Sequence, residues 1–231
     1  MKVVISSGHG SKISGAVSLI NEVTEARLVV HRVAEYIQLA GGQATEFHDN
    51  VSTTVTANIN AITAFHNARQ RDLDVSVHFN AVAGTRDEGI GTEVLYTTER
   101  VLAGKVATAI SSVSGLINRG AKSRSNLGFL NKTNKPAILI EVCFVNSRAD
   151  VRLYRDNFDA ICRAIAETIT GRKAEGIAVQ EVPQWQKEAF AKLVKSGFIN
   201  TPEYWEPKLG QPATNGEVLA LIGQLMSRME L

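Results

Sequence analysis

The chain has 231 residues, of which 44% are hydrophobic and 21% charged, and its formal net charge is +2. This length fits one domain of ordinary size with a small additional unit, and the composition excludes disordered and collagen-like proteins. No apolar run approaches the roughly 18 residues that a membrane-spanning helix needs. The near-neutral charge gives no electrostatic reason to expect nucleic-acid binding.

The N-terminal sequence MKVVISSGHG lacks the extended apolar core and the cleavage site of a signal peptide. We therefore expect synthesis in the cytoplasm without export by the standard secretory route. The chain has only two cysteines, which are too few for a disulfide scaffold or a thiolate zinc site. Any bound metal must accordingly be held by histidines and carboxylates.

Apolar patterning predicts alternating strands and helices along the first 170 residues. The predicted strands are 2–6, 43–47, 75–79, 92–97 and 137–142. The predicted helices are 26–37, 55–70, 99–115 and 156–170. Such alternation is typical of an α/β fold in which helices flank a central twisted sheet, parallel or mixed.

The end of the chain differs from the rest in composition. Both tryptophans and four of the five prolines lie beyond residue 180, after a polar stretch without helical or strand periodicity. We therefore predict an α/β domain over 1–172, a linker over 173–182 and a small helical domain over 183–231. About 50 residues give such a unit only a marginal core.

Polar side chains stand at the ends of three predicted strands, where α/β proteins bind their ligands. They are His9 after the first strand, His78 on the third and Glu141 on the last. A carboxylate that ends an apolar strand needs a cation, a proton or a hydrogen-bond partner. On the first long helix, Glu22 falls on the centre line of the apolar face, whereas Glu25 lies roughly 60° away from it.

Two histidines and one carboxylate can hold zinc with an open position for water, and a further carboxylate can then act as general base. His9, Glu22, His78 and Glu141 form such a set, although their spacing matches no local motif. Structural roles therefore stay open, including Glu22 as a first-turn carboxylate stabilised by the helix dipole. Asn80 is a candidate for substrate binding or a strand terminator. We expect His48 and His66 to be surface or structural residues.

Four motifs follow one another in an order and spacing that resemble a known family. They are Ser7-Gly8-His9-Gly10, Asn21-Glu22 opening a helix, Ser76-Val77-His78-Phe79-Asn80-Ala81, and Pro136 to Phe144 (PAILIEVCF). Together they resemble the zinc-dependent N-acetylmuramoyl-L-alanine amidases of the type-3 family, particularly phage endolysins that act on Gram-positive walls. The resemblance covers roughly residues 1–170, and Asn118 to Lys122 (NRGAK) also resembles the endolysin branch.

The resemblance implies that His9, Glu22 and His78 bind Zn²⁺ and that Glu141 is the catalytic carboxylate. It implies hydrolysis of the bond between N-acetylmuramic acid and L-alanine in peptidoglycan, after release of the protein to the cell wall.

Two departures from the family pattern affect these expectations. Ser6-Ser7 replace an Asp-Pro pair that many members carry before Gly-His-Gly, so a carboxylate that supports the histidine is expected to be missing. Ala26-Arg27 replace a frequent Asn-Leu on the helix, which leaves Glu25 as the alternative third ligand.

Other functions stay open at this stage. A zinc carboxypeptidase or peptidase would use the same kind of ligand set, and a wall-binding protein could carry an inactive site. The basic residues between Arg119 and Lys135 could bind an anionic secondary wall polymer or form a solvated surface. The C-terminal helices could bind the wall, or could form a dimer through Leu219, Ile222 and Leu225.

Overall fold

The computed structural model describes residues 1–174 and 184–199. Strands and helices alternate along the first range. The strands are β1 (Lys2–Ser7), β2 (Gln43–Phe47), β3 (Leu73–Asn80), β4 (Thr92–Tyr96), β5 (Asn118–Ser123) and β6 (Ala137–Phe144). The helices are α1 (Glu22–Leu39), α2 (Val55–Asn67), α3 (Arg100–Ser114), α4 (Gly128–Lys132), α5 (Arg148–Asp156), α6 (Phe158–Thr170) and α7 (Gln184–Lys195).

All six strands form one mixed sheet in the order β2-β1-β3-β6-β4-β5. Every neighbouring pair is parallel except β4 and β6, which run antiparallel. The inner strands β1, β3 and β6 are buried on both faces along most of their length, as expected for parallel strands covered by helices on both sides. The predicted α/β class with a mixed central sheet is confirmed.

The two faces of the sheet are covered unequally. On one face α1, α3 and α6 pack over the main core, to which Val94, Ile138 and Ile140 contribute. On the other face α2 and α4 cover a smaller apolar cluster, which includes Leu95 and Leu139. Since side chains alternate along a strand, Glu141 points to the same face as Leu139. This second face, beyond the α2 and α4 cluster, is where the candidate site lies.

Three parts of the structure differ from the sequence-based prediction. The short helix α4 (Gly128–Lys132) lies where no helix was predicted. Strand β5 was not predicted, because its sequence NRGAKS carries no apolar alternation; it is an edge strand that pairs only with β4. The predicted helix 156–170 is preceded by a separate helix, α5, and Asn157 separates the two. A polar edge strand such as β5 is held by pairing to its neighbouring strand rather than by burial of its own side chains.

The chain divides into two compact units, Met1–Glu175 and Gly176–Leu231. Of the second unit the structure describes α7 and the residues that follow it up to Ile199. The proposed dimer residues Leu219, Ile222 and Leu225 lie outside the described residues. Across the described part of the chain, no helix combines the length and apolar character needed to cross a membrane.

Candidate metal centre

The candidate site is built at the carboxyl ends of β1 and β3 and beside β6. His9 follows β1, and His78 is the sixth residue of β3. His78 lies opposite Glu141 in the parallel register of β3 and β6, so the two side chains stand next to each other on one face. The structure thus brings together three polar residues from distant parts of the sequence. His78 is 69 positions after His9, and Glu141 is 63 positions after His78.

Gly8 lets the His78 ring reach the end of β1. The Gly8 amide donates a hydrogen bond to the Val77 carbonyl oxygen at 3.0 Å, which ties the two strand ends together. A Cβ atom placed on Gly8 would lie 1.8 Å from Nε2 of His78, well inside contact distance. Glycine at position 8 is therefore required sterically by His78.

The start of α1 delivers Glu22 to the two histidines. The side chain of Asn21 accepts a hydrogen bond from the Thr24 amide and so caps the helix immediately before Glu22. Glu22 is 3% exposed, and its Oε2 atom accepts a hydrogen bond from the Ala16 amide at 2.7 Å. Its Oε1 atom accepts one from the Phe79 amide at 3.1 Å. Two backbone donors therefore fix both carboxylate oxygens.

Three side chains present donor atoms to a common point. The Oε1 atom of Glu22 lies 3.0 Å from Nδ1 of His78 and 3.5 Å from Nε2 of His9. One donor atom from each residue can be chosen so that all three lie within 4.8 Å of one another. Tetrahedral zinc, with bonds of about 2.0–2.2 Å to nitrogen and oxygen, places its ligands roughly 3.3 Å apart. The donor types and their separations fit zinc.

The alternative ligand Glu25 lies elsewhere. Its Oε2 atom accepts a hydrogen bond from the Tyr154 hydroxyl at 2.8 Å, so it is committed to a contact with α5. One turn of helix separates the two carboxylates, and only Glu22 faces the histidines. The structure therefore favours Glu22 over Glu25 as the third member of the centre.

Burial and the neighbouring charges shift the pKa values of His9 and Glu22. Burial lowers the pKa of His9, and the nearby His78 lowers it further. For Glu22, burial acts to raise the pKa, but the hydrogen bond from His78 and the charges of both histidines outweigh it, and the pKa is lowered. Glu22 is thus held as a carboxylate, which is the form that binds a cation.

Glu141 stands beside this cluster with a free oxygen. Its Oε2 atom is buried and has no hydrogen-bond partner among the described residues. Burial raises the pKa of Glu141 to about 7, with Glu22 and Glu93 adding to the rise while His78 opposes it. A carboxyl group with a pKa near neutrality can both accept and donate a proton at the pH of the cell.

Glu93 and Arg119, which the sequence analysis did not identify as catalytic candidates, lie on the side of Glu141 away from His78. Glu93 of β4 is opposite Glu141 in the antiparallel register and is 5% exposed. It accepts a hydrogen bond from Nε of Arg119 at 2.8 Å and another from Nδ2 of Asn80 at 3.3 Å. The sequence does carry a signal for Glu93, because this glutamate lies within the apolar strand TEVLY. A carboxylate in an apolar strand is also the signal that identified Glu141.

Asn80 lies two residues beyond His78 at the end of β3. Besides its contact with Glu93, it accepts a hydrogen bond at Oδ1 from the Ala81 amide at 2.8 Å. The structure thus places Asn80 at the rim of the site, close to Glu93. Substrate binding by Asn80 stays a prediction.

The side chains of Ser6 and Ser7 form no hydrogen bond to the His9 ring among the described residues, although the Ser7 hydroxyl donates one to the His9 carbonyl oxygen at 3.4 Å. Ser6 lies 3.1 Å from Nε2 of His66, and Ser7 lies 3.0 Å from Nδ1 of His48. The Nδ1 atom of His9 is buried and has no hydrogen-bond partner in residues 1–174 or 184–199. This is what the missing Asp-Pro pair leads one to expect, since no carboxylate among these residues reaches Nδ1 of His9.

His66 belongs to a fully buried polar network under α2. Its Nδ1 atom lies 2.8 Å from Oδ1 of Asp74, and Asp74 also accepts two hydrogen bonds from Arg71. Both His66 and Asp74 are 0% exposed, so a serine, a histidine and an aspartate meet here without access to any substrate. Their role is structural.

An apolar cavity of about 100 Å³ opens beside the two histidines. Its walls come from α2, α4 and the sheet, with Ile59, Leu127, Phe129 and Leu139 among them. His9 and His78 form the side nearest the centre. The site therefore combines a polar cluster with an adjoining apolar space, as small-molecule and substrate sites commonly do.

Comparisons with sequenced proteins give relatives from one genus. An uncharacterized protein of Clostridium perfringens (strain 13) is 31% identical over 210 residues, which cover 86% of this chain and 60% of that relative. An uncharacterized 38.4 kDa protein of Clostridium perfringens is 30% identical over 168 residues, covering 68% of this chain and 46% of that relative. The chain therefore spans only part of the length of both relatives.

Comparisons with solved structures give the same fold. The catalytic domain of the CD27L endolysin, described as targeting Clostridia difficile, superposes with a TM-score of 0.68 at 24% identity, covering 75% of this chain and 98% of that domain. The N-acetylmuramoyl-L-alanine amidase AmiC2 of Nostoc punctiforme gives a TM-score of 0.61 at 28% identity, covering 74% and 96%. A family model described as N-acetylmuramoyl-L-alanine amidase matches residues 3–171. This chain belongs to the N-acetylmuramoyl-L-alanine amidase family.

Proposed function

We propose that this protein hydrolyses the amide bond between N-acetylmuramic acid and L-alanine in peptidoglycan, with Zn²⁺ bound by His9, Glu22 and His78. The observation that carries the proposal is the meeting of three donor atoms within 4.8 Å beside Glu141 on the next strand, whose buried Oε2 atom has no hydrogen-bond partner among the described residues. Membership of the family supports the choice of bond.

The chemistry follows from the positions of these residues. Zinc at such a site polarises a carbonyl group and lowers the pKa of water. Glu141 takes a proton from the attacking water, because it lies opposite His78 in the sheet with an Oε2 atom that no described residue occupies, and its pKa of about 7 leaves a large carboxylate fraction at neutral pH. Glu141 then donates this proton to the nitrogen of the leaving L-alanine. Asn80, at the rim, contacts the substrate.

The first experiment tests the role of Glu141. We expect Glu141→Gln to lower turnover on purified walls by roughly 10²- to 10⁴-fold, as is usual when a general acid–base group is removed. Because Glu141 is not a ligand, zinc should stay near one ion per chain. Zinc content is measured by atomic emission, and turnover by the release of new amino groups. Loss of zinc from the variant would show that Glu141 is a ligand and that the assigned roles are wrong.

The products distinguish this activity from its alternatives. An amidase frees L-alanine amino termini and leaves the glycan strands intact. A zinc carboxypeptidase or peptidase would instead release residues from within or from the end of the peptide. Binding to walls with zinc present but without any new amino groups would favour a non-catalytic wall-binding protein.

We further propose that the protein acts as a phage endolysin, which is made in the host cytoplasm and reaches the wall on lysis. The second unit, Gly176–Leu231, would bind the wall, and the first would carry the activity. In this assignment the catalytic domain is 1–172, the linker 173–182 and the wall-binding domain 183–231. Sedimentation with purified walls compares the full chain with residues 1–175. Equal binding by both would contradict wall binding by the second unit.

A further inference from the structure

Arg119 is held in a fixed orientation next to the site. Its Nε atom donates a hydrogen bond to Oε2 of Glu93 at 2.8 Å, and the side chain of Glu93 is only 6% exposed. The guanidinium carbon lies 5.2 Å from the centre of the Phe144 ring, which packs against its flat face. An ion pair to a buried partner and an aromatic contact thus fix a side chain that is itself 37% exposed.

The outer edge of this guanidinium is available for a ligand. A guanidinium group has five N–H donors, and two parallel donors match a carboxylate. Within residues 1–174 and 184–199, Nε makes the single hydrogen bond from Arg119, and neither Nη atom makes one. The contact with Glu93 therefore orients the group and leaves its terminal donors unused.

The sheet places these donors at a defined distance from the reacting bond. Glu93 is opposite Glu141 in register, and Arg119 follows on the next strand, β5. Two strand spacings of about 4.8 Å put β5 roughly 10 Å from β6. An extended residue spans about 3.3–3.6 Å. The Arg119 side chain spans part of this distance, because its Nε atom lies 2.8 Å from Glu93 on β4. Two extended residues of a peptide that leads across β4 therefore bring the second residue within reach of the guanidinium group.

We propose that Arg119 binds a free carboxylate on the second residue of the substrate peptide and thereby determines specificity. This inference rests on the proposed amidase function, because that function places L-alanine first and leaves the second residue as the group that reaches β5. A planar fork with unused donors is suited to a carboxylate, which accepts two hydrogen bonds at once. Arg119 also neutralises Glu93, but its Nε atom makes that contact alone. The proposed binding of a carboxylate uses the two Nη atoms instead.

The test compares two substrates that differ only in charge. They are N-acetylmuramoyl-L-alanyl-D-glutamate and its diamide, in which both carboxylates are carboxamides. We expect the wild-type protein to prefer the acid in kcat/KM by roughly 10- to 100-fold, the range for a charge-assisted pair of hydrogen bonds. Arg119→Gln should bring the ratio close to one. Arg124→Gln, which removes an exposed cation from the same edge of the sheet, should leave the ratio unchanged.

A double variant separates specificity from damage to the site. Arg119→Gln alone leaves Glu93 without its cation beside Glu141 and is expected to slow both substrates. Glu93→Gln combined with Arg119→Gln removes that charge, and the acid-to-diamide ratio should still be close to one. A ratio that stays at the wild-type value in either variant would overturn the proposal. Cleavage of neither substrate by zinc-loaded wild-type protein would instead contradict the amidase function itself.

Discussion

Replacement of Gly8 by alanine tests whether His78 is a ligand. The new Cβ atom would lie 1.8 Å from Nε2 and 1.9 Å from Cε1 of the His78 ring. Non-bonded carbon and nitrogen atoms need about 3.5 Å, so the ring or the loop must move by about 1.5 Å or more. Zinc ligands tolerate distance errors of about 0.2 Å. Loss of an outer hydrogen-bond partner alone costs 10- to 100-fold in metal affinity, so we expect the Kd for zinc to rise at least about 100-fold.

The assay is a titration of metal-free protein with zinc in competition with a chromophoric chelator. Two further glycine-to-alanine changes calibrate the result. At Gly15 the added Cβ would lie 2.5 Å from Oε2 of Glu22, so an intermediate loss of affinity is expected. At Gly104, within α3, the added Cβ meets no atom within 4 Å, and affinity should be unchanged.

The backbone does not complicate this comparison. Gly8 is not among the glycines with positive φ, so alanine can adopt its conformation without strain. Thermal unfolding of the metal-free variants checks that the fold is retained. If Gly8→Ala bound zinc within about threefold of the wild type, His78 would not be held where the ligand role requires it, and the reasoning would be refuted.

Three further predictions concern the third ligand and the buried network. Glu22→Gln should weaken zinc binding by about 100-fold or more, whereas Glu25→Gln should not change it, in the same competition titration. Burial and the charge of Arg71 keep the pKa of His66 below 6.5, so its contribution to stability is complete above that pH. As pH falls below 6.5, urea unfolding of zinc-free protein should lose up to about 1.4 kcal/mol per pH unit relative to His66→Gln. Arg71→Ala leaves the fully buried Asp74 without its cation, although its contact with His66 stays, and should cost about 3 kcal/mol of unfolding free energy.

Each of these has an outcome that would contradict it. Equal losses of zinc affinity at positions 22 and 25 would mean that charge near the site, rather than ligation, is being measured. Parallel pH profiles for the wild type and His66→Gln would show that His66 is not held neutral in the folded protein. A loss below about 1 kcal/mol in Arg71→Ala would mean that water or another group reaches Asp74.

Glu22 illustrates how far the sequence leads toward the site. Helical periodicity alone places Glu22 on the buried side of α1 and Glu25 on its flank, which is enough to rank them. What fixes Glu22 is the pair of backbone amides from Ala16 and Phe79, and these come from a loop and a strand. No local pattern could supply that information, because Phe79 lies 57 residues away in sequence and the Ala16 amide comes from a loop without regular periodicity.

The sequence by itself determined the α/β class and the strands and helices that bury apolar faces. It also determined the candidates His9, His78 and Glu141, since a polar residue at the end of an apolar strand can be identified without knowing how the strands pair. Only the tertiary structure decided that strand β5 exists and that Glu93 and Arg119 lie beside Glu141. The physical reason is that side-chain periodicity reports burial within one element, whereas strand order and register are set by long-range pairing between elements.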